Sequence, residues 1–228
     1  MNSDNTFVIA SEKRWNAELA ERLRMITGYE FFSVNCPENL NEEKLEKIKP
    51  KYIFFPHWSH RIPASIWGKY ETIIFHMTDL PYGRGGSPLQ NLIIRGHDST
   101  MLTALRCVEA MDAGPIYLKR PLSLLGTAEE IFVRADKLVE NMILEILETR
   151  PFPEAQVGEP TIFKRRRPED GNLVDVKTQA DLFNFIRMLD AEGYPSAFLK
   201  TEHFSFEFKK ATLREGYVEA SVIIKKSG

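Results

Sequence analysis

Apolar residues in the first third of the chain arrive in short unbroken runs, separated by stretches in which apolar and polar positions alternate at helical spacing. Phe7-Val8-Ile9-Ala10 and Tyr52-Ile53-Phe54-Phe55 are such runs, Thr72-Ile73-Ile74-Phe75 is one behind a threonine, and Phe31-Phe32-Ser33-Val34 reads as a further strand. Runs of this length, with no polar face, suit parallel strands covered on both sides. After the first run, Ser11 offers a helix cap, and Trp15, Leu19, Leu23 and Ile26 form a helical stripe that Gly28 ends. Residues 41–48 repeat the pattern and stop at Pro50. Residues 63–67 predict a short helix. Strand and helix alternate, and the alternation predicts an open, Rossmann-like α/β sheet.

Further along, residues 87–94 predict a helix with Pro88 in its first turn. Residues 100–108 and 116–120 predict strands. The piece between them suits either a hairpin or a wrapped loop. The strongest helical signal runs from 127 to 147: Thr127 can cap it, Glu129 and Glu130 fall in its first turn, and Ile131, Ala135, Leu138, Met142, Ile143 and Ile146 share one face. The Pro- and Gly-bearing stretch 151–160 follows, so the expected division is a main domain at 1–155 and a C-terminal helix-and-strand subdomain at 156–228. In the latter, Thr178 opens a helix carrying Leu182, Phe183, Ile186 and Leu189. Phe204, Phe206 and Phe208 alternate with polar residues and predict a strand with a buried face. These terminal strands suit a small subdomain or an edge that pairs two copies into a homodimer.

Composition narrows the function. The 228 residues carry a formal net charge of -2, which gives no global attraction to nucleic acid or anionic membrane. One basic cluster, Lys164-Arg165-Arg166-Arg167, stands out against that background. Only Cys36 and Cys107 occur, far apart, which argues against a disulfide framework or a cysteine-rich metal site. The opening residues 1–5 lack a basic region and a long apolar core, and no run approaches the ~20 residues that span a bilayer. The expectation is a cytoplasmic protein with no membrane association.

The candidate chemistry lies in two blocks. His76 follows the fourth apolar run and precedes a loop with Pro81, Gly83, Gly85 and Gly86, which places an imidazole at a strand end beside flexible backbone. Asp112 sits in the turn Met111-Asp112-Ala113-Gly114-Pro115-Ile116. A carboxylate that orients and charges an imidazole is a proton-transfer pairing. A third cluster, Pro56-His57-Trp58-Ser59-His60, lies past the third strand, at the edge where open α/β sheets bind ligands. His57, His60 and His76 are imidazoles of the kind that bind Zn²⁺, but no carboxylate completes a set, and no metal site is assigned.

Both blocks resemble the formyltransferases that use 10-formyltetrahydrofolate, whose hallmark is Asn-x-His-x-Ser-Leu-Leu-Pro, a Gly-rich loop, and then Leu-Asp-x-Gly-Asp-Ile. The stretch His76-Met77-Thr78-Asp79-Leu80-Pro81 with Arg84-Gly85-Gly86-Ser87-Pro88 is similar to the first block, and residues 111–116 to the second. The step from His76 to Asp112 equals the family's separation of histidine and aspartate. The resemblance implies His76 as base and Asp112 as its orienting partner, 10-formyltetrahydrofolate as cosubstrate, and backbone at Met111, Ala113 and Gly114 reading the pterin. It further implies acceptor contacts at Thr78, Arg84, Gly85 and Gly86. One departure stands out: Ile74 occupies the family's asparagine position and has no donor for the formyl oxygen. His57, His60 and Asn91 are the polar candidates for that role. The segment from Phe163 to Gly171, with Leu182–Leu189 and Tyr194–Phe198 after it, resembles N-formyltransferases of nucleotide-linked amino sugars. There Arg165 and Arg166 would grip a diphosphate. The resulting expectation is amino-sugar N-formylation in a surface-polysaccharide or pseudaminic-type pathway, with methionyl-tRNA or a small nucleotide amine as alternative acceptors. A catalytically degenerate binding protein is the non-enzymatic alternative.

Overall fold

The computed structural model describes residues 5–226. The opening segment 1–4 read above for export therefore lies outside the described residues. In chain order the elements are β1 (Thr6–Ser11), α1 (Leu19–Thr27), β2 (Glu30–Val34), α2 (Glu42–Ile48), β3 (Tyr52–His57), α3 (Ala64–Trp67), β4 (Glu71–His76), β5 (Arg84–Gly85), α4 (Pro88–Ile94), β6 (Ser99–Arg106), β7 (Ile116–Ser123), α5 (Ala128–Thr149), β8 (Ile162–Phe163), α6 (Gln179–Arg187), β9 (Ala197–Lys200), β10 (Phe204–Arg214) and β11 (Tyr217–Lys226). They fall into two compact units, each discontinuous in sequence. Among the described residues, the first comprises those up to Arg84, Met101–Leu122 and Val133–Ile162, and the second Gly85–Thr100, Ser123–Phe132 and those from Phe163 on. The last passage between them thus falls at Ile162/Phe163, past the 155/156 boundary read from the sequence.

The first unit is built on a sheet of order β2-β1-β3-β4-β6-β7. β2, β1, β3 and β4 run parallel, and β6 is antiparallel to β4. The open α/β expectation is met. Val8, Ala10, Ile53, Phe54, Phe55 and Ile73 are fully buried, as strands covered on both faces require. On one face Val8, Ala10, Phe55, Ile62, Ile66 and Cys107 form a core against which Trp58 and Ile74 pack. β1 lies between β2 and β3, so chain order reverses there, and the carboxyl ends of β1 and β3 meet at the crevice such a switch creates. Ser11 and His57 are register partners at that edge, with the Ser11 hydroxyl oxygen 3.2 Å from His57 O.

Helix α1 starts later than its stripe predicts. Trp15 belongs to a short 3-10 turn at Arg14–Asn16, and the helix begins at Leu19. Ser11 is not its cap. That hydroxyl is turned to Asn16 Oδ1 at 2.8 Å, and the Asn16 amide donates to Asp136 Oδ1 at 2.5 Å. Tertiary hydrogen bonds have claimed the polar groups that a cap needs. Asn16 and Asp136 belong to a buried network with Arg22, Lys137 and Glu140. Arg22 Nη2 lies 2.7 Å from Asp136 Oδ2, and its Nε donates to Glu140. Burial pushes the Asp136 carboxyl up, against the Asn16 and Arg22 contacts that pull it down.

In the second unit, β9, β10 and β11 form an antiparallel sheet of order β11-β10-β9. Ala197–Lys200, which no apolar pattern singles out, becomes a strand because Ser205–Phe208 offers it a ladder. The alternating phenylalanines do not make a buried face: Phe204 is exposed, and Phe206 and Phe208 are half-buried. Helix α6 is capped by Thr178 and carries the buried Arg187. The Arg187 guanidinium satisfies the carbonyls of Leu124 and Gly126 at 2.6 and 3.0 Å. Among the described residues, no helix is long and apolar enough to cross a membrane.

Candidate active site

β4 delivers His76 at its carboxyl end, 7% exposed. The 107–115 connection between β6 and β7 delivers Asp112, held at φ 51°. His76 Nδ1 and Asp112 Oδ2 are 3.7 Å apart, both in the first unit. That is wider than a hydrogen bond and well inside the range where opposite charges stabilise one another. The other ring nitrogen, Nε2, donates to the carbonyl of Gly83 at 2.8 Å. An imidazole donating through Nε2 keeps its lone pair at Nδ1, so the proton-accepting nitrogen faces the carboxylate. Gly83 reaches this position at φ 78°, a conformation open to glycine at little cost.

The segment behind these groups is the stretch 154–161. Thr161 O accepts from the N–H groups of Gly83 and Arg84 at 3.0 and 2.9 Å. Ile116 and Glu154 exchange a pair of backbone hydrogen bonds at 2.7 and 2.9 Å. Gln156 donates to the carbonyls of Asp112 and Gly114, both at 2.8 Å, and accepts from Arg84 Nε and Nη2 at 3.1 and 2.8 Å. Nothing in the sequence marks Gln156, because a single amide in a Pro/Gly-bearing stretch carries no pattern.

The remaining expected residues are sorted by their partners. Ile74 is paired in register with Phe55 and Leu105 and packs on the apolar core, so its position is hydrophobic in fact as well as in name. His57 closes β3 beyond its last register pair with β4, Phe55 with Ile74, and past an irregularity in the β1–β3 register between Ile9 and Ser11. Burial pushes the His57 imidazole down to about 3, with the charge of Lys13 acting in the same direction. His57 is therefore a neutral ring, with Trp15 tilted against it at 5.4 Å. His60 is exposed and pairs with Glu12 at 2.8 Å. Asn91 lies in the second unit and spends its amide hydrogens on the carbonyls of Gly86, Ser87 and Lys164 at 3.0, 3.0 and 2.9 Å. Among the described residues, no three His, Cys, Asp or Glu side chains converge as a metal site would require.

Thr78 is fully buried, and its hydroxyl donates to Gly83 O at 3.3 Å. Gly85 and Gly86 are packing glycines of the second unit: a Cβ would meet Phe163 O at 2.4 Å and Arg165 Cβ at 2.5 Å. Arg165 is exposed, whereas Arg166 donates to Asp170 O at 2.5 Å and lies over the Phe185 ring at 5.5 Å. Of the pterin-reading backbone, Ala113 N–H is occupied by Ala110 O at 3.2 Å and Gly114 O by Gln156. Met111 is 72% exposed beside Asp112 and offers apolar surface that a flat heteroaromatic ring can cover.

A family model for the methionyl-tRNA formyltransferase C-terminal domain matches residues 168–225. A solved structure of methionyl-tRNA formyltransferase from Clostridium thermocellum is 43% identical, with a TM-score of 0.95, covering 97% of this chain and 99% of that one. Methionyl-tRNA formyltransferase from Thermodesulfovibrio yellowstonii is 25% identical over 201 residues, which are 83% of this chain and 65% of that protein. The chain thus spans less than two thirds of that curated relative's length. A sugar N-formyltransferase from a Shewanella species has a TM-score of 0.66 at 15% identity, which shows a common fold alone. These findings overturn the expected kinship with amino-sugar enzymes. The Arg-Arg segment that prompted it is short and basic, and such a segment serves any phosphate-bearing acceptor.

Proposed function

Because the chain belongs to the methionyl-tRNA formyltransferase family, we propose that it transfers the formyl group of 10-formyltetrahydrofolate to a primary amine, with methionyl-tRNA as the acceptor. The observation that carries this reading is the buried His76–Asp112 pair, 3.7 Å apart at the end of a sheet strand. The cosubstrate supplies an activated one-carbon acyl group. The exposed Met111 and the turn around Asp112 are the surface on which its ring would rest.

His76 takes the acceptor's proton at Nδ1, since Nε2–H is committed to Gly83 O. Asp112 stabilises the imidazolium that results. The charge that develops on the formyl oxygen needs a fixed donor, worth about 3 kcal/mol. Ile74 has none. The neutral His57, which retains one ring N–H, takes that role from the neighbouring strand. The exposed cations Lys164, Arg165 and Arg167 of the second unit are available to acceptor phosphates, and the match over 168–225 favours tRNA over a sugar nucleotide.

The test is a panel of amines with 10-formyltetrahydrofolate: methionyl-tRNA, free methionine and a nucleotide-linked amino sugar. Formylation of methionyl-tRNA alone is expected. Turnover of the sugar nucleotide without tRNA turnover would contradict the acceptor, and folate binding with no transfer to any amine would contradict the enzymatic reading.

A further inference from the structure

We propose that Gln156 is a positioning residue for the His76–Asp112 pair, one amide that ties the turn carrying Asp112 to the guanidinium of Arg84. The proposal rests on the formyl-transfer reading. A glutamine amide has two N–H donors and two oxygen lone pairs. Here both donors go to carbonyls, Asp112 O and Gly114 O at 2.8 Å each. Both lone pairs receive the Arg84 guanidinium, at 3.1 and 2.8 Å. Every hydrogen-bonding function of the side chain is used on two segments that flank His76. The guanidinium also dictates which end of the amide faces it, because it can only donate.

The geometry shows why the chain needs this at Asp112. That residue sits at φ 51°, a left-handed conformation costing a non-glycine residue about 1 kcal/mol or more. Its own carbonyl is the one Gln156 holds. Two residues on, Gly114 is pressed against the backbone, with Arg106 O lying 1.8 Å from where a Cβ would be. The turn is therefore wedged at Gly114 and tethered at Asp112. The same strand-like segment holds Gly83 through Thr161 O, and Gly83 O is the acceptor for His76 Nε2. One stretch of chain, 154–161, braces the partner of each ring nitrogen. Because the bonds of Gln156 go to the turn's backbone carbonyls and to Arg84, it acts through the turn, and displacement of that turn by about 1 Å is enough to cost up to ~100-fold in rate.

Gln156→Leu keeps the volume and removes all four bonds. Expected is a 10- to 100-fold fall in kcat with the KM values for cosubstrate and acceptor within about threefold of wild type. Amide exchange in residues 110–114 should accelerate at the same time. Gln156→Glu keeps the Arg84 partner but turns two donors into acceptors facing two carbonyls. Its kcat should fall similarly and recover relative to wild type as pH is lowered and the carboxyl gains a proton, a signature that a purely structural defect would not give. An active wild type whose Leu and Glu variants both keep wild-type kcat would overturn the proposal, as would losses confined to KM. If wild type transfers no formyl group, the reaction assignment fails separately. The His76–Asp112 separation in a crystal structure of Gln156→Leu then decides: a widened gap supports the positioning role, and an unchanged 3.7 Å removes it.

Discussion

Replacing Asp112 with asparagine removes one charge and keeps the size of the side chain. The turn is held through the Asp112 backbone carbonyl and through Gly114, and neither bond involves the carboxylate. The variant should therefore fold like wild type, with an unchanged thermal midpoint. What is lost is the interaction of the carboxylate with the imidazolium formed when His76 takes a proton. At 3.7 Å and an effective dielectric of about 20, that interaction is about 4 kcal/mol. Both side chains are about nine-tenths buried, so solvent screens the pair little. At 1.36 kcal/mol per factor of ten, the ceiling on the rate loss is about a thousandfold. The assay is initial-rate formation of tetrahydrofolate at saturating acceptor, where the loss should appear in kcat and leave KM nearly unchanged. A variant within about fivefold of wild type would refute the idea that Asp112 stabilises a charged His76.

Three further outcomes follow from the packing. Arg22→Met leaves Asp136 buried without its cation, while Glu140 keeps Lys137; denaturant titration should show a loss at or below the low end of about 3–5 kcal/mol, because a third of Arg22 meets solvent. The His57 imidazole is pushed down to about 3 in the folded protein against an ordinary 6.5, so the unfolded chain binds the proton more readily. Its contribution is complete above pH 6.5 and is lost as pH falls toward 3, at up to about 1.4 kcal/mol per pH unit, and His57→Gln should flatten that acid limb in equilibrium melts. Gly114→Ala has to move the turn off Arg106 O, and should cost about 1–3 kcal/mol in stability together with a fall in kcat.

The parallel core was legible because buried parallel strands leave near-continuous apolar runs, and β1, β3 and β4 each contain one, whereas β2 lies at the sheet edge with Phe32 and Ser33 exposed. The long helix α5 was legible for a local reason as well. Thr127 and Glu130 exchange side-chain-to-backbone hydrogen bonds at 3.3 and 2.8 Å, a reciprocal cap written within four residues. Trp15 and Ser11 misled because Asn16 is bonded to Asp136 across 120 positions, a partner that no local window contains. β9 escaped for the same reason: its ladder partner is supplied by β10. In the site, the spacing of His76 and Asp112 pointed to the pair, while the bonds that commit His60 to Glu12 and Asn91 to Gly86, Ser87 and Lys164 join residues that no local pattern links. Gln156 was invisible, since its meaning lies in four bonds to residues 42 to 72 positions away. The leaning toward amino sugars came from the basic segment Phe163–Gly171 and the short pieces Leu182–Leu189 and Tyr194–Phe198, in a region that matches the methionyl-tRNA formyltransferase C-terminal domain over 168–225.

A double-mutant cycle on His76→Asn and Asp112→Asn tests most directly whether imidazole and carboxylate work as one device in formyl transfer. Measured as kcat for methionyl-tRNA, the double variant should be no slower than the slower single variant, because removing the base already makes its partner irrelevant. Losses that multiply across the two positions would mean that the residues act separately, and the proton-transfer account would be wrong.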